Sequence, residues 1–303
     1  MAAIAYVSDE KMLEYHRFNG SHTIVFWRLS TKKFTDFKPG DLLFFLARDE
    51  NNRRKEKGLT GYGCFVSESS LSIDTIWKNY GRQTGYNTRR ELYDAIRKSC
   101  KTEEIPKKIG CLLLDRVVFF QSPVYLSSLG YQLSNKLESF TYLDRDEGEQ
   151  TLKILNAVRE IGLDSWSAME NETMNDELFQ QQLVRHQIST ILQSSEPERE
   201  ISSAKAEHIY SVFAEKDPMW INRKHNSFLI RDRINRLYFL YDSTAKTEKE
   251  NYYKLLGEMI FLRETFRQTF DEEIQIIVLT FTDLSERQIK CLNDNQVECQ
   301  RVY

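Results

Sequence analysis

The chain has 303 residues, enough for two domains at about 150 residues each. Its 41% hydrophobic and 29% charged residues suit a globular protein, and its 12 glycines and 5 prolines exclude collagen-like or long low-complexity tracts. No apolar run approaches the roughly 20 residues that span a bilayer, so no membrane partner is expected. The start, MAAIAYVSDEKMLEY, has no basic stretch followed by an apolar core, so no secretory signal is expected. The five cysteines (64, 100, 111, 291, 299) form no CxxC pair, which argues against a disulfide framework and a Cys-rich zinc site and points to the reducing cytoplasm. The five histidines lack HxxxH or HxH spacing, so neither a metal site nor a cofactor is expected.

The net charge of −3 is unevenly spread. Residues 1–165 carry 25 Lys and Arg against 22 Asp and Glu, while residues 166–303 carry 17 against 23. Within the first part, Ile76–Lys108 has nine basic and four acidic residues, and Arg28–Lys57 has nine and five. Such clusters suit a phosphate-bearing ligand, and equally an ordinary solvated surface.

In chain order, His22–Arg28, Asp41–Ala47 and Gly63–Val66 read as short strands, with a Lys38-Pro39-Gly40-Asp41 turn before the second. Ser72 caps a helix that stops at Gly81, and Thr88 to Glu91 is a capping box opening a helix to about Lys98. Ile109–Phe120 is a long buried strand, expected to break near Asp115-Arg116. Short strands sharing one core suggest a small barrel or strongly curved sheet. Residues 145–165 and Asn171–Gln193 read as helices, and Ser194–Glu200 as a linker. The domains are accordingly expected at 1–165 and 201–303, with 166–200 as connecting helix and linker. The second part reads helix, two strands, a long helix over about Lys249–Gln268, a buried strand, a capped helix from Ser285 and an edge strand, an α/β sandwich order.

Five motifs in the first part form an ordered set: Phe26-Trp27-Arg28-Leu29-Ser30, Pro39-Gly40-Asp41 with Phe44-Phe45, Gly61-Tyr62-Gly63-Cys64-Phe65, Trp77-Lys78-Asn79-Tyr80-Gly81, and Thr84-Gly85. Over residues 20–125 this set resembles the EVE-like branch of the PUA superfamily, as found ahead of the nuclease in modification-dependent restriction endonucleases. The resemblance implies an α+β fold, a curved β-barrel with short helices, that holds a modified base in an aromatic cage. Aromatic walls return part of the stacking lost by an extruded base. A methyl group adds only about 0.8 kcal/mol of apolar contact, so the pocket has to be snug. Trp27 and Trp77 are the first cage candidates, then Tyr62, Tyr80 and Tyr86; Ser30, Asn79 and Thr84 are candidates for the base edge, and Arg28, Arg82, Arg89 and Arg90 for flanking phosphates. The aromatic residues suit a core as well as a cage, and Arg89 and Arg90 suit a solvated helix face. Leu29 stands where the family has proline, and Thr84 where it has asparagine, which bears on ligand specificity.

The second part resembles the PD-(D/E)xK nuclease core, an α/β restriction-endonuclease-like sandwich. That chemistry needs carboxylates around Mg²⁺ and a lysine near the attacking water. Asp242 stands at the motif acid, but Thr244 replaces the lysine and Asn226-Ser227 replace the preceding aspartate. The domain is therefore expected to be catalytically degenerate, an interaction or dimerisation module. The overall expectation is a protein that binds nucleic acid, foremost modified DNA, and is linked to restriction or defence. Two alternatives stay open: a Mg²⁺-dependent endonuclease using Glu207, Asp242 and Lys246, and a subunit docking a separate nuclease or helicase.

Overall fold

A computed structural model describes residues 2–48, 56–102, 104–134, 136–145, 149–165, 172–193, 201–222, 226–243 and 248–302. Lys246, Thr244 and the Ser194–Glu200 linker lie outside these residues. The fold is mixed α+β with two sheets. The chain divides into two compact units, one of residues 2–183 and one from residue 184 onward.

The first unit runs β1 (Ala3–Val7), α1 (Glu10–Phe18), β2 (Ile24–Arg28), β3 (Leu42–Arg48), β4 (Lys57–Leu71), α2 (Ile73–Tyr80), a 3₁₀ turn (Gly81–Thr84), α3 (Arg89–Ser99), β5 (Ile109–Val124), β6 (Phe140–Tyr142) and α4 (Gln150–Ile161). The sheet order is β2-β5-β4-β3-β1-β6, with β1 and β3 parallel and the other neighbours antiparallel. The expected closed barrel is not formed: among the described residues β2 and β6 are free edges. With five and three residues, they are too short to close a ladder. Side chains bridge the gap instead, with the Tyr6 ring edge-on to Phe26 at 5.1 Å. The expected break in Ile109–Phe120 is a bulge. Strand β5 continues to Val124, Arg116 takes φ +48°, and the pairing shifts between Tyr62 and Cys64.

Alternation along β3 builds two cores. Leu43 and Phe45 face the core closed by α1, α2 and α3, and Leu42, Phe44 and Leu46 face the core closed by α4. Each fully buried phenylalanine here contributes about 2 kcal/mol through removal from water. Phe179 and Leu183 of helix α5 (Glu172–Gln193) pack in the second of these cores; in the other unit, Ile188 and Leu192 pack in its own core.

The second unit continues with α6 (Ser203–Val212), β7 (Met219–Asn222), β8 (Ser227–Arg231), β9 (Asn235–Tyr241), α7 (Glu248–Thr269), β10 (Ile274–Thr280), α8 (Glu286–Asp294) and β11 (Val297–Arg301). Its sheet is β11-β10-β9-β8-β7, an antiparallel meander β7-β8-β9 joined to the parallel strands β10 and β11. Strand β7 was not expected; it is four residues long and carries a bulge. Helix α6 covers one face and α7 and α8 the other, through Ile209 against Phe228 and Leu240, and through Leu255, Met259 and Leu292 against Leu237 and Phe239. Among the described residues, no helix is long and apolar enough to cross a membrane.

Candidate nucleic-acid interface

The segment from Ser72 to Ser99 is built by strong local signals. Ser72 Oγ accepts from the Thr75 backbone N–H (3.2 Å), and Thr88 and Glu91 form the full capping box. Gly81 closes α2 at φ +49°, a left-handed value that glycine adopts without strain. Ile73, Ile76, Leu92 and Ile96 turn inward, which leaves Lys78, Asn79, Arg82, Arg89 and Arg90 exposed. Trp77 and Tyr80 sit between the two environments, partly buried against the core. Arg89 donates to Asp74 (2.6 Å) and Arg90 lies 3.9 Å from Asp94. Lys78 and Arg82 have no ion-pair partner among the described residues.

Behind this surface, Trp27, Thr84 and Tyr86 are buried. Thr84 Oγ1 donates to the Gly81 carbonyl (2.7 Å), so its hydroxyl holds the turn. The Tyr86 hydroxyl donates to Asp9 Oδ1 (2.9 Å), which also accepts from the Met12 backbone N–H at the start of α1. Burial pushes the Tyr86 phenol pKa well up, and the Asp9 carboxylate pushes it further the same way. The Trp27 indole lies beside that hydroxyl, and its Nε1 is buried without a hydrogen-bond partner of good geometry. Both ring nitrogens of His16 are likewise buried without partners, and burial lowers its pKa to about 4. Gly85 (φ +84°) lies against α1 so closely that a Cβ there would sit 2.4 Å from Met12 Cγ and 2.9 Å from His16 Nε2.

Other candidates lie elsewhere. Tyr62 is fully buried in the opposite core, its hydroxyl unpartnered. Ser30 is exposed in the loop after β2. Arg28 is turned inward and 5% exposed, donating to the Lys32 carbonyl and, at 3.3 Å, to Glu68. The structure thus draws Trp77, Asn79, Tyr80, Arg82, Arg89 and Arg90 onto one exposed segment, with Trp27, Thr84 and Tyr86 in the core. Asp9 and His16 went unnoticed in the sequence. Only the Asp-x-x-Met start of α1, a short cap signal, pointed to the first of them.

In the second unit, Asp242 follows β9 and Thr282 follows the parallel β10. Asp242 Oδ2 accepts from Lys205 Nζ (2.5 Å), and Oδ1 accepts from the Ser243 backbone N–H (3.0 Å) and from Thr282 Oγ1 (3.3 Å). The Lys205 ammonium also lies 4.1 Å from the centre of the Phe281 ring. Glu207 is exposed two residues further along α6, a spacing that puts it on another side of the helix from Lys205. At the place of the missing aspartate, the Asn226 carbonyl accepts from the Leu240 N–H (3.1 Å), and the Ser227 hydroxyl is buried and unpartnered. Among the described residues no group of three His, Cys, Asp or Glu side chains could hold a metal ion. Among the described residues Asp242 pairs with the Lys205 ammonium and belongs to no cluster of carboxylates of the kind Mg²⁺ needs.

No family model and no curated protein matches the chain. Among solved structures it is similar to ASCH from Zymomonas mobilis, at 16% identity and a TM-score of 0.34, over 51% of this chain and 94% of that one. Two single-substitution mutants of that protein match over the same 51% at 15% identity, with TM-scores of 0.35 and 0.37 and 96% and 95% of their own chains covered. At these scores the likeness decides nothing about the chemistry of the site.

Proposed function

We propose that this protein binds nucleic acid through residues 72–99 and reads a modified base between that segment and β2. One observation carries the proposal: half-buried Trp77 and Tyr80 lie beside the exposed Lys78 and Arg82, which make no ion pair among the described residues. Aromatic faces offer about 1–3 kcal/mol of stacking per base, and unpaired cations beside them hold the connecting phosphates. A role in restriction or defence in the cytoplasm accords with the EVE-like motifs.

The test is a titration of the full chain with matched oligonucleotides, single- and double-stranded, bearing unmodified, methylated or hydroxymethylated cytosine or methylated adenine. Tighter binding of one modified form, weakened about tenfold by Trp77→Ala, supports the proposal. Equal binding of every form by parent and variant overturns the modified-base part, and no binding to any form overturns the whole.

For the second unit we favour a nuclease-like fold that does not cleave. The helix, the three-stranded meander and the parallel crossover support the kinship, and the lack, among the described residues, of a carboxylate cluster around Asp242 that could hold Mg²⁺ supports an inactive site. Cleavage of a modified substrate with Mg²⁺, abolished by Asp242→Ala, would reverse this. Docking of a partner protein draws support from the exposed Tyr253 and Phe261 on one side of α7.

A further inference from the structure

The loop between β2 and β3, residues 29–41, crosses the gap where the first sheet fails to close. Phe34 of this loop lies with its ring centre 4.2 Å from the Arg28 guanidinium carbon and meets Phe140 edge-on at 4.9 Å. Phe140 in turn stacks on Tyr6 (5.7 Å, 16° between planes) and meets Tyr142 edge-on at 5.6 Å. Beneath Phe34, Arg28 is 5% exposed, and its Nε is buried without a hydrogen-bond partner. Gly110 makes room for it, since a Cβ there would come within 3.0 Å of Arg28 Nε. Around Phe34 the loop is held by the Lys32 carbonyl on Arg28, the Asp36 N–H on the Tyr142 hydroxyl (3.4 Å) and Asp36 with Arg145 (3.0 Å), while its end is anchored by the buried Phe37, which also meets Phe34 edge-on at 5.2 Å, and by the Gly40 N–H on the Phe65 carbonyl (2.7 Å). Lys32, Lys33 and Lys38 on the same loop are exposed and make no ion pair among the described residues.

We infer that Phe34 closes a second base slot, in which an unpaired base of single-stranded nucleic acid takes the place of the Phe34 ring between Arg28 and Phe140. A planar base fits the observed distances because it can stack on the face of the guanidinium as the Phe34 ring does. The three loop lysines then lie beside the phosphates that follow the base. A residue that occupies the slot in the free protein lowers apparent affinity by the fraction of closed molecules. The slot rests on the nucleic-acid reading above but uses none of the residues of the 72–99 surface.

The probes are adenosine monophosphate and short single-stranded DNA and RNA, titrated against the full chain by calorimetry. Phe34→Ala should tighten oligonucleotide binding by about threefold or more, because the gate is removed, and should make binding of the free nucleotide measurable. Adding Arg28→Lys should then weaken the nucleotide by about tenfold, since lysine cannot stack in the same plane. Circular dichroism melts confirm that both variants fold. As a check that needs no variant, 5-iodouracil oligonucleotides photo-crosslinked to the parent chain should label peptides containing residues 29–41 or 140–145. Crosslinks confined to residues 72–99 overturn the slot and leave the first interface standing. Absence of nucleotide binding to Phe34→Ala overturns the slot whatever the parent does with oligonucleotides.

Discussion

His16 has neither ring nitrogen bonded and is fully buried, so it folds as the neutral imidazole. Its folded pKa of about 4 lies below the ordinary 6.5, so the unfolded chain takes up the proton first as pH falls. The stability it contributes is full above pH 6.5 and is lost as pH drops toward 4. The shift predicts that the parent is about 2 kcal/mol less stable at pH 5 than at pH 7.5 through this residue, at 1.36 kcal/mol per unit. His22 and His186, also lowered by burial, add in the same direction. Urea melts at the two pH values should show a smaller loss for His16→Leu than for the parent; an unchanged difference would mean that His16 is not the buried neutral group. Gly85 makes a sharper case. Its φ of +84° and a Cβ path blocked at 2.4 Å by Met12 predict that Gly85→Ala costs about 2–4 kcal/mol, measured by denaturant midpoint at constant m-value.

At the scale of elements, Asp9 does two jobs, capping α1 and accepting from Tyr86 seventy-seven residues away. Asp9→Ala removes the cap and leaves a buried hydroxyl unpaired, for an expected loss of about 2–3 kcal/mol, whereas Asp9→Ser keeps the cap and should lose about half as much. No loss in Asp9→Ser would separate Tyr86 from the role of this pair, and equal losses in the two variants would separate the cap from it. The contrast also explains what could be read in advance. The caps at Ser72, Thr88, Ser202 and Ser285 are contacts within four residues, so the sequence displays them directly. Strands β1, β6 and β7 have only three to five residues, and β1 and β6 pair with strands far off in sequence, so no local period marks them. Tyr62 and Trp27 were grouped as walls of one cage, yet the register shifts between Leu59 and Ser67 break the alternation that assigns a face. Closure of the sheet failed for a related reason, because it depends on edge lengths that apolar runs do not reveal. The cations and aromatics of 72–90 are adjacent in sequence on two capped helices, so their convergence was legible; the Phe34–Arg28–Phe140 cluster joins three separate segments and was not.

At the scale of the molecule, a chain with net charge −3 can still approach a polyanion if its cations are concentrated and unpaired where contact is made. Ion pairs between neighbours already occupy Arg89, Arg28 and Arg145, which reduces what they can offer a phosphate. Among the described residues Lys78 and Arg82 carry no such partner, and Arg90 is held only at 3.9 Å, so these three are the effective set at the first interface. Each phosphate they neutralise adds about −0.7 to the slope of log K against log salt for a single strand. The triple variant Lys78→Ala, Arg82→Ala, Arg90→Ala should therefore reduce the magnitude of the slope by about 2, while Arg89→Ala alone should change it by less than about 0.7. Titrations at several salt concentrations decide it. A triple-variant slope equal to the parent's would move the phosphate contacts away from residues 72–99. If that slope then fell on removing Lys32, Lys33 and Lys38 instead, the loop over Arg28 would be the main landing site for the strand and the α2–α3 surface a bystander.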